Sequence, residues 1–286
     1  MKETLLTLPD GRNLSFLEGG PEDGAPVLFF HGFGASKQAI PHDTSTLFEK
    51  GVRLIAIDRP GTGGSSIKEN FTIQDFARDV DFLIQEKKYK TVSLFGWSAG
   101  GLYALSYAAL FPEKIKNIAL VSSAIPLNDK NASLFLPSNW KVVIFTNKYL
   151  PFFSKRFLRK QAQGFIQNPD KFFKALLSQM RGTDKKMAAD PVLKIQLLKS
   201  ATEGYAHEGM GIFYDTTALC KSVYSSLDTI NVPVTIWQGA EDIIWTIKTS
   251  GYLKDNIKNS TLKIVKGAGH LLYFSEWEAI LSEIRN

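Results

Sequence analysis

Short apolar runs recur along the chain, each closed by small or turn-forming residues: Val27 to Phe30, Leu54 to Ile57, Val92 to Phe95, Ile118 to Val121, Val234 to Trp237 and Leu262 to Val265. Runs that are apolar at every position, rather than at alternate ones, fit strands buried on both faces of a parallel sheet. Between them the period changes. From Thr72 to Lys88 the apolar residues Ile73, Phe76, Ala77, Val80, Leu83 and Ile84 fall at helical spacing, and Thr72 with Asp75 resembles a capping box. Gly100 to Phe111 and Trp277 to Ile284 also read as helices. Strands alternating with helices predict an α/β fold with a mostly parallel, doubly wound sheet. Residues 4–8 and 14–18, either side of the Pro9-Asp10-Gly11 turn, alternate apolar and polar positions and predict an antiparallel hairpin at the sheet edge.

The alternation breaks after Val121-Ser122-Ser123-Ala124 and resumes near Val232. Connections in α/β units run to about 2–6 residues, so this stretch must form structure of its own. The expectation is a core domain of residues 1–125 and 229–286 with an inserted, mainly helical cap at 126–228. The insertion is rich in aromatics: Phe135, Trp140, Phe145, Phe152, Phe153, Phe157, Phe165, Phe172, Phe173, Phe213 and Tyr214. Most are expected to build the cap's own core and a minority to line a pocket against the sheet domain.

Composition narrows the class without naming it. At 286 residues and 44% hydrophobic content, the chain can bury one sizeable core and still carry an insertion. No run approaches the length of a membrane span, so no stable membrane insertion is expected. The first residues lack the basic start and apolar block of a signal peptide, and the single Cys220 excludes an intrachain disulfide. The protein is therefore expected to be cytoplasmic. The net charge of +6 is concentrated between about residue 130 and residue 200, where Lys155, Arg156, Arg159 and Lys160 cluster. With no nucleic-acid motif beside it, this cluster reads as a solvated helix face, and no nucleic-acid partner is expected. Contact of the Lys148–Lys160 segment with membrane lipid is a further idea that rests on composition alone.

The chemistry concentrates around Leu94-Phe95-Gly96-Trp97-Ser98-Ala99-Gly100-Gly101. Gly96-x-Ser98-x-Gly100 follows a predicted strand and opens a predicted helix, the context in which a serine is exposed on a sharp turn. Small residues two positions either side let strand and helix approach, and the helix N-terminus favours negative charge forming near Ser98. A serine hydroxyl needs a base to act as nucleophile. Of the four histidines, His31 ends the third strand among residues with a backbone role and His207 lies in the cap. His270 closes Lys266-Gly267-Ala268-Gly269-His270 after the last strand and is delivered to the same sheet edge as Ser98, with His42 as the reserve. A base of this kind needs a carboxylate to fix its tautomer. Trp237-Gln238-Gly239-Ala240-Glu241-Asp242 offers two, of which Asp242 also reads as a cap for a helix starting near Trp245. Gly61-Thr62-Gly63-Gly64-Ser65-Ser66 lacks the lysine and spacing of a phosphate loop and reads as a turn. No cluster has metal-ligand spacing, and neither metal nor cofactor is expected.

Taken together, His31-Gly32-Phe33-Gly34, Asp58-Arg59-Pro60-Gly61, the Gly96–Gly100 elbow, Gly239-x-x-Asp242 and Gly267-x-Gly269-His270 occur in an order that resembles the α/β-hydrolase superfamily over nearly the whole chain. The resemblance implies Ser98 as nucleophile, Asp242 rather than Glu241 as the orienting acid and His270 as base. It also implies an oxyanion hole made by the backbone N–H groups of Phe33 and Ala99. The serine departs from haloalkane dehalogenases and epoxide hydrolases of this fold, which use aspartate at the elbow. The motifs of prolyl aminopeptidases are absent, and Trp97 stands where lipases often carry histidine. The expectation is a serine hydrolase cleaving a small or medium carboxylic ester with an apolar group through an acyl-enzyme. The same residues leave open carbon-carbon, amide or thioester hydrolysis, cyanohydrin cleavage, and a receptor that keeps the triad but signals through its cap.

Overall fold

The computed structural model describes residues 1–178, 180, 182–222 and 226–285. Among these, eight strands form one sheet: β1 (Lys2–Thr7), β2 (Asn13–Gly19), β3 (Ala25–Phe30), β4 (Val52–Ile57), β5 (Val92–Trp97), β6 (Ile115–Val121), β7 (Val234–Gly239) and β8 (Ser260–Val265). Their spatial order is β1-β2-β4-β3-β5-β6-β7-β8. The β1–β2 hairpin lies at the edge and pairs antiparallel with β4, while every pair from β4 to β8 is parallel. The sheet is thus α/β and mostly parallel, as the pattern predicted.

Helices α1 (Ser45–Glu49), α2 (Ile73–Glu86) and α3 (Gly100–Leu110) follow β3, β4 and β5. Helices α10 (Ile247–Asn256) and α11 (Trp277–Ile284) follow β7 and β8. The start of α2 is the predicted capping box: Thr72 Oγ1 accepts from the Asp75 N–H, and Asp75 Oδ2 accepts from the Thr72 N–H. Its buried face holds all six of the apolar residues that the helical period selected. Alternate residues of the central strands feed two cores. Leu28, Phe30, Leu94 and Leu120 pack with α2 and α3 on one side; Val27, Phe29, Phe95 and Val121 pack with α11 on the other.

One apolar run departs from the double-faced expectation. In β8, Ile264 is 47% exposed and Lys263 pairs with Glu283 at 2.8 Å. This strand is the far edge of the sheet, with a neighbour on one side alone, so its continuous apolar run does not imply burial on both faces.

Between the adjacent strands β6 and β7 the chain runs through α4 (Ser138–Tyr149), α5 (Pro151–Gln167), α6 (Pro169–Ser178), α7 (Gly182–Met187), α8 (Pro191–Gly204) and α9 (Met210–Lys221). The aromatics of this insertion do not mostly build a core of its own. Trp140, Phe165, Phe173 and Tyr214 are buried, but Phe135, Phe145, Phe152, Phe153 and Phe157 are exposed. Each inserted helix has one face to bury, and those faces are largely spent on the sheet. Trp140, Met210 and Tyr214 join the sheet's own core, whereas Ala162, Phe165, Tyr205 and Ile212 form a small separate cluster.

Buried charges tie the insertion down. Lys37 Nζ lies 2.7 Å from Asp58 Oδ2, 2.9 Å from Glu3 and 3.3 Å from Glu203 on α8. Burial raises the Asp58 carboxyl to about 6 even though Lys37 pulls it down. The Gly61–Ser66 stretch closes on itself through Gly61 N–H to Ser66 O and Ser65 N–H to Thr62 O, and Gly63 N–H reaches Glu203 O. It is a turn, as expected, and its N–H donors are engaged by the turn itself, by the neighbouring strand residues and by the insertion. Replacing Lys37 by Met strands the Asp58 charge and should lower stability by about 3 kcal/mol at neutral pH. In urea unfolding the loss should shrink as the pH falls below about 6, where the folded carboxyl takes up its proton with or without Lys37 beside it. An equal loss above and below that pH would refute the assignment.

Candidate active site

The register of the parallel strands decides what meets at the carboxyl edge. Phe30 pairs with Gly96, Trp97 with Val121 and Val121 with Trp237. The turns after β3, β5 and β7 therefore leave the sheet side by side.

At the second of these, Ser98 takes φ +56 and is 6% exposed. This is the left-handed region, which costs a non-glycine residue on the order of 1–3 kcal/mol. The neighbours explain why only glycine fits beside it. A Cβ on Gly100 would lie 2.0 Å from the Phe30 carbonyl oxygen, and one on Gly96 would lie 2.6 Å from Gly101 Cα. The turn is held by Ser98 N–H to Val121 O and by Ala124 N–H to Ser98 O, both 3.0 Å. Among the described residues, the N–H groups of Phe33 and Ala99 donate to no other group, and Ser98 Oγ makes no hydrogen bond.

Asp242 and His270 are brought together. Their Oδ2 and Nδ1 atoms are 2.9 Å apart, with Asp242 fully buried and His270 nearly so. Asp242 Oδ1 accepts the N–H groups of Ile244 and Trp245 at 2.8 and 3.1 Å, which fixes the carboxylate plane. The N-cap of α10 is Thr246, not Asp242, so the acid closes the preceding turn. Glu241 is exposed and spends its N–H on Ala268 O. Of the remaining histidines, His42 and His207 are exposed. His31 is buried, held at Nδ1 to Gly32 O, and kept neutral first by burial and then by the adjacent Arg59.

Three positioning groups carried no assigned role in the sequence. Trp97 Nε1 donates to His270 O at 3.1 Å, and its ring lies 5.1 Å from Tyr273, so the elbow strand itself grips the histidine turn. Arg59, fully buried, donates to His31 O, Gly32 O and Asp215 on α9 at 2.6, 2.9 and 2.9 Å. It thereby anchors the loop that carries Phe33. Asp184 on α7 accepts the N–H groups of His270 and Leu271 at 2.5 and 3.0 Å, while Thr183 Oγ1 donates to Gly267 O. Burial raises the Asp184 carboxyl, and its two N–H donors and His270 hold it down. Nothing local marks Asp184, which reads in sequence as an ordinary acid in the first turn of a short helix.

The insertion also meets the turns after β3 and β7. Trp140 on α4 meets Phe33 edge-on at 5.3 Å and stacks on Trp245 at 5.6 Å. The apolar side chains of Ile212 and Phe165 pack near Phe33 from the same side.

Relief of backbone strain makes Ser98→Gly stabilising by about 1 kcal/mol in urea unfolding, net of the added freedom of the unfolded chain. A loss of stability would contradict the strained-turn description. Asp184→Ala leaves two buried N–H groups without acceptors and should cost about 2 kcal/mol or more. The same measurement checks it, a neutral result counting against the tether.

Comparison with known proteins agrees with this architecture. The α/β-hydrolase fold family matches residues 25–276. The chain is 26% identical over 270 residues to a pimeloyl-[acyl-carrier protein] methyl ester esterase of Neisseria meningitidis serogroup C, covering 93% of this chain and 94% of that one. It is 25% identical over 268 residues to a non-heme chloroperoxidase of Streptomyces lividans, covering 93% and 92%. Among solved structures, an esterase from Exiguobacterium antarcticum superposes with a TM-score of 0.74 at 20% identity, over 99% of this chain and 97% of that one. With sheet order, elbow and family match in accord, the chain belongs to the α/β-hydrolase fold family.

Proposed function

We propose that this protein is a serine hydrolase of carboxylic esters, with Ser98 as nucleophile, His270 as base and Asp242 as orienting acid. The observation that carries the reading is the 2.9 Å Asp242–His270 pair, fastened through the His270 carbonyl to Trp97, the residue next to the strained serine. Hydrogen bonding at Nδ1 leaves Nε2 free to take a proton, the tautomer that general-base chemistry requires. Similarity to proteins named as esterases supports the ester over the amide, thioester or carbon-carbon bond.

In this mechanism Ser98 Oγ bonds to the ester carbonyl carbon as its proton passes to His270 Nε2. The carbonyl oxygen becomes an oxyanion that accepts from the unengaged N–H groups of Phe33 and Ala99. His270 then returns the proton to the departing alkoxide, the C–O bond breaks, and an acyl-enzyme remains. Water attacks the acyl carbon with His270 again as base, releasing the acid and restoring Ser98. Ser98 and His270 make no hydrogen bond here, and such contacts commonly tighten only when substrate is bound. Residues 126–228 act as a cap, and the Phe33–Trp140–Trp245 aromatic group offers an apolar wall for the acyl or alcohol chain.

Treatment with a fluorophosphonate should label Ser98, located by peptide mass spectrometry. An unlabelled Ser98 in folded protein, beside a competent control enzyme, would sink the proposal. His270→Ala should cut turnover of a p-nitrophenyl ester by about four orders of magnitude.

A further inference from the structure

Helices α4 and α5 present an outer surface that the proposed chemistry does not use. Phe152, Phe153 and Phe157 are 72%, 65% and 60% exposed, and Val142, Phe145 and Tyr149 follow one another at i, i+3 and i+7 along α4 with more than half their surface in water. Isolated exposed apolar residues are ordinary, but six on two successive, contacting helices mark an interaction surface. Phe153 and Phe157 are one turn apart on α5, and Phe145 meets Tyr149 at 5.1 Å on α4.

The charge on this surface has one sign. From Lys130 to Pro169 the sequence contains no Asp or Glu. Lys155 bends over the Phe213 ring, and Arg159 approaches Glu208 at 3.6 Å. Lys141, Lys148, Arg156 and Lys160 are exposed and form no ion pair among the described residues. Long cationic side chains beside exposed aromatic rings are the composition of a surface that sits in the headgroup region, rings in the acyl boundary and cations at the phosphates.

We infer that this outer face of α4 and α5 docks peripherally on an anionic lipid surface. A second copy of the chain is a poor occupant, because it would set cations against cations. The rings also stand well into solvent instead of lining a groove, which suits a fluid, deformable partner better than a shaped protein surface. No helix among the described residues is long and apolar enough to cross a membrane, so the contact is interfacial. The opposite face of α4 carries Trp140, which touches Phe33. Docking therefore places the proposed cap against the lipid. The inference does not depend on which residue is the nucleophile.

The test is flotation of the full chain with vesicles of phosphatidylcholine containing phosphatidylglycerol as about one third of the lipid, beside pure phosphatidylcholine vesicles. At low salt the protein should float with the anionic vesicles and not with the neutral ones, and added salt should release it. Arg156→Gln with Lys160→Gln should lower the partition coefficient roughly 30-fold, from about 1 kcal/mol per cation. Phe152→Ser with Phe153→Ser should lower it about 10-fold or more. All four side chains are exposed, so unchanged thermal midpoints are expected and separate loss of binding from loss of fold. Failure to float with anionic vesicles at low salt overturns the inference. Binding that survives both double substitutions, or equal binding to neutral vesicles, overturns it as well.

Discussion

The turn carrying His270 is held from three directions, and the arrangement at the sheet edge depends on that restraint. Trp97 takes its carbonyl, Asp184 takes two consecutive N–H groups, and Asp242 takes the ring. These contributors come from the elbow strand, the inserted helices and the turn after β7, so one short loop reads the positions of three separate parts of the chain. Buried polar groups require partners, and each of these hydrogen bonds is a condition on the placement of its whole element. Rigid support of this kind is what holds a constellation of side chains within a fraction of an ångström of one geometry.

The loop that carries Phe33 is controlled by the same device with opposite charge. Arg59 lies beneath it and binds two successive carbonyls, and Asp215 from α9 neutralises the guanidinium. Lys37, Asp58 and Glu203 repeat the pattern a few residues away. In both cases the sheet domain supplies the cation and the insertion supplies an acid. Such buried pairs contribute little net stability relative to an apolar core, but they are intolerant of misplacement. The insertion is thereby fixed in one seat on the sheet portion by charge, with apolar packing around Trp140, Met210 and Tyr214 filling the contact.

The insertion consequently has two unlike surfaces. Its inner side is spent on the sheet edge, where Trp140 links α4 to both Phe33 and Trp245. The aromatics left over face outward among exposed cations. A count of aromatic residues does not separate these two fates, because helical spacing marks an apolar face without recording whether that face is buried. That is why the expectation of a self-contained cap core fails at Phe145, Phe152, Phe153 and Phe157, which are exposed, and at Trp140, which joins the sheet's core, while Phe165 meets it.

The sheet was legible because its determinants are local: short apolar runs, a capping box at Thr72, and a glycine at each position where the elbow is too tight for a side chain. The order of Ser98, Asp242 and His270 along the chain, each just past a strand, also assigns them to one edge of the sheet. Sequence alone left two acids after β7 open, and only the resemblance preferred Asp242. In the fold Asp242 faces His270 and Glu241 faces water. The roles of Asp184, Arg59 and Trp97 were likewise decided by tertiary structure alone. Their hydrogen bonds join residues far apart in the chain, and no local pattern records which carbonyl or N–H will be brought within reach.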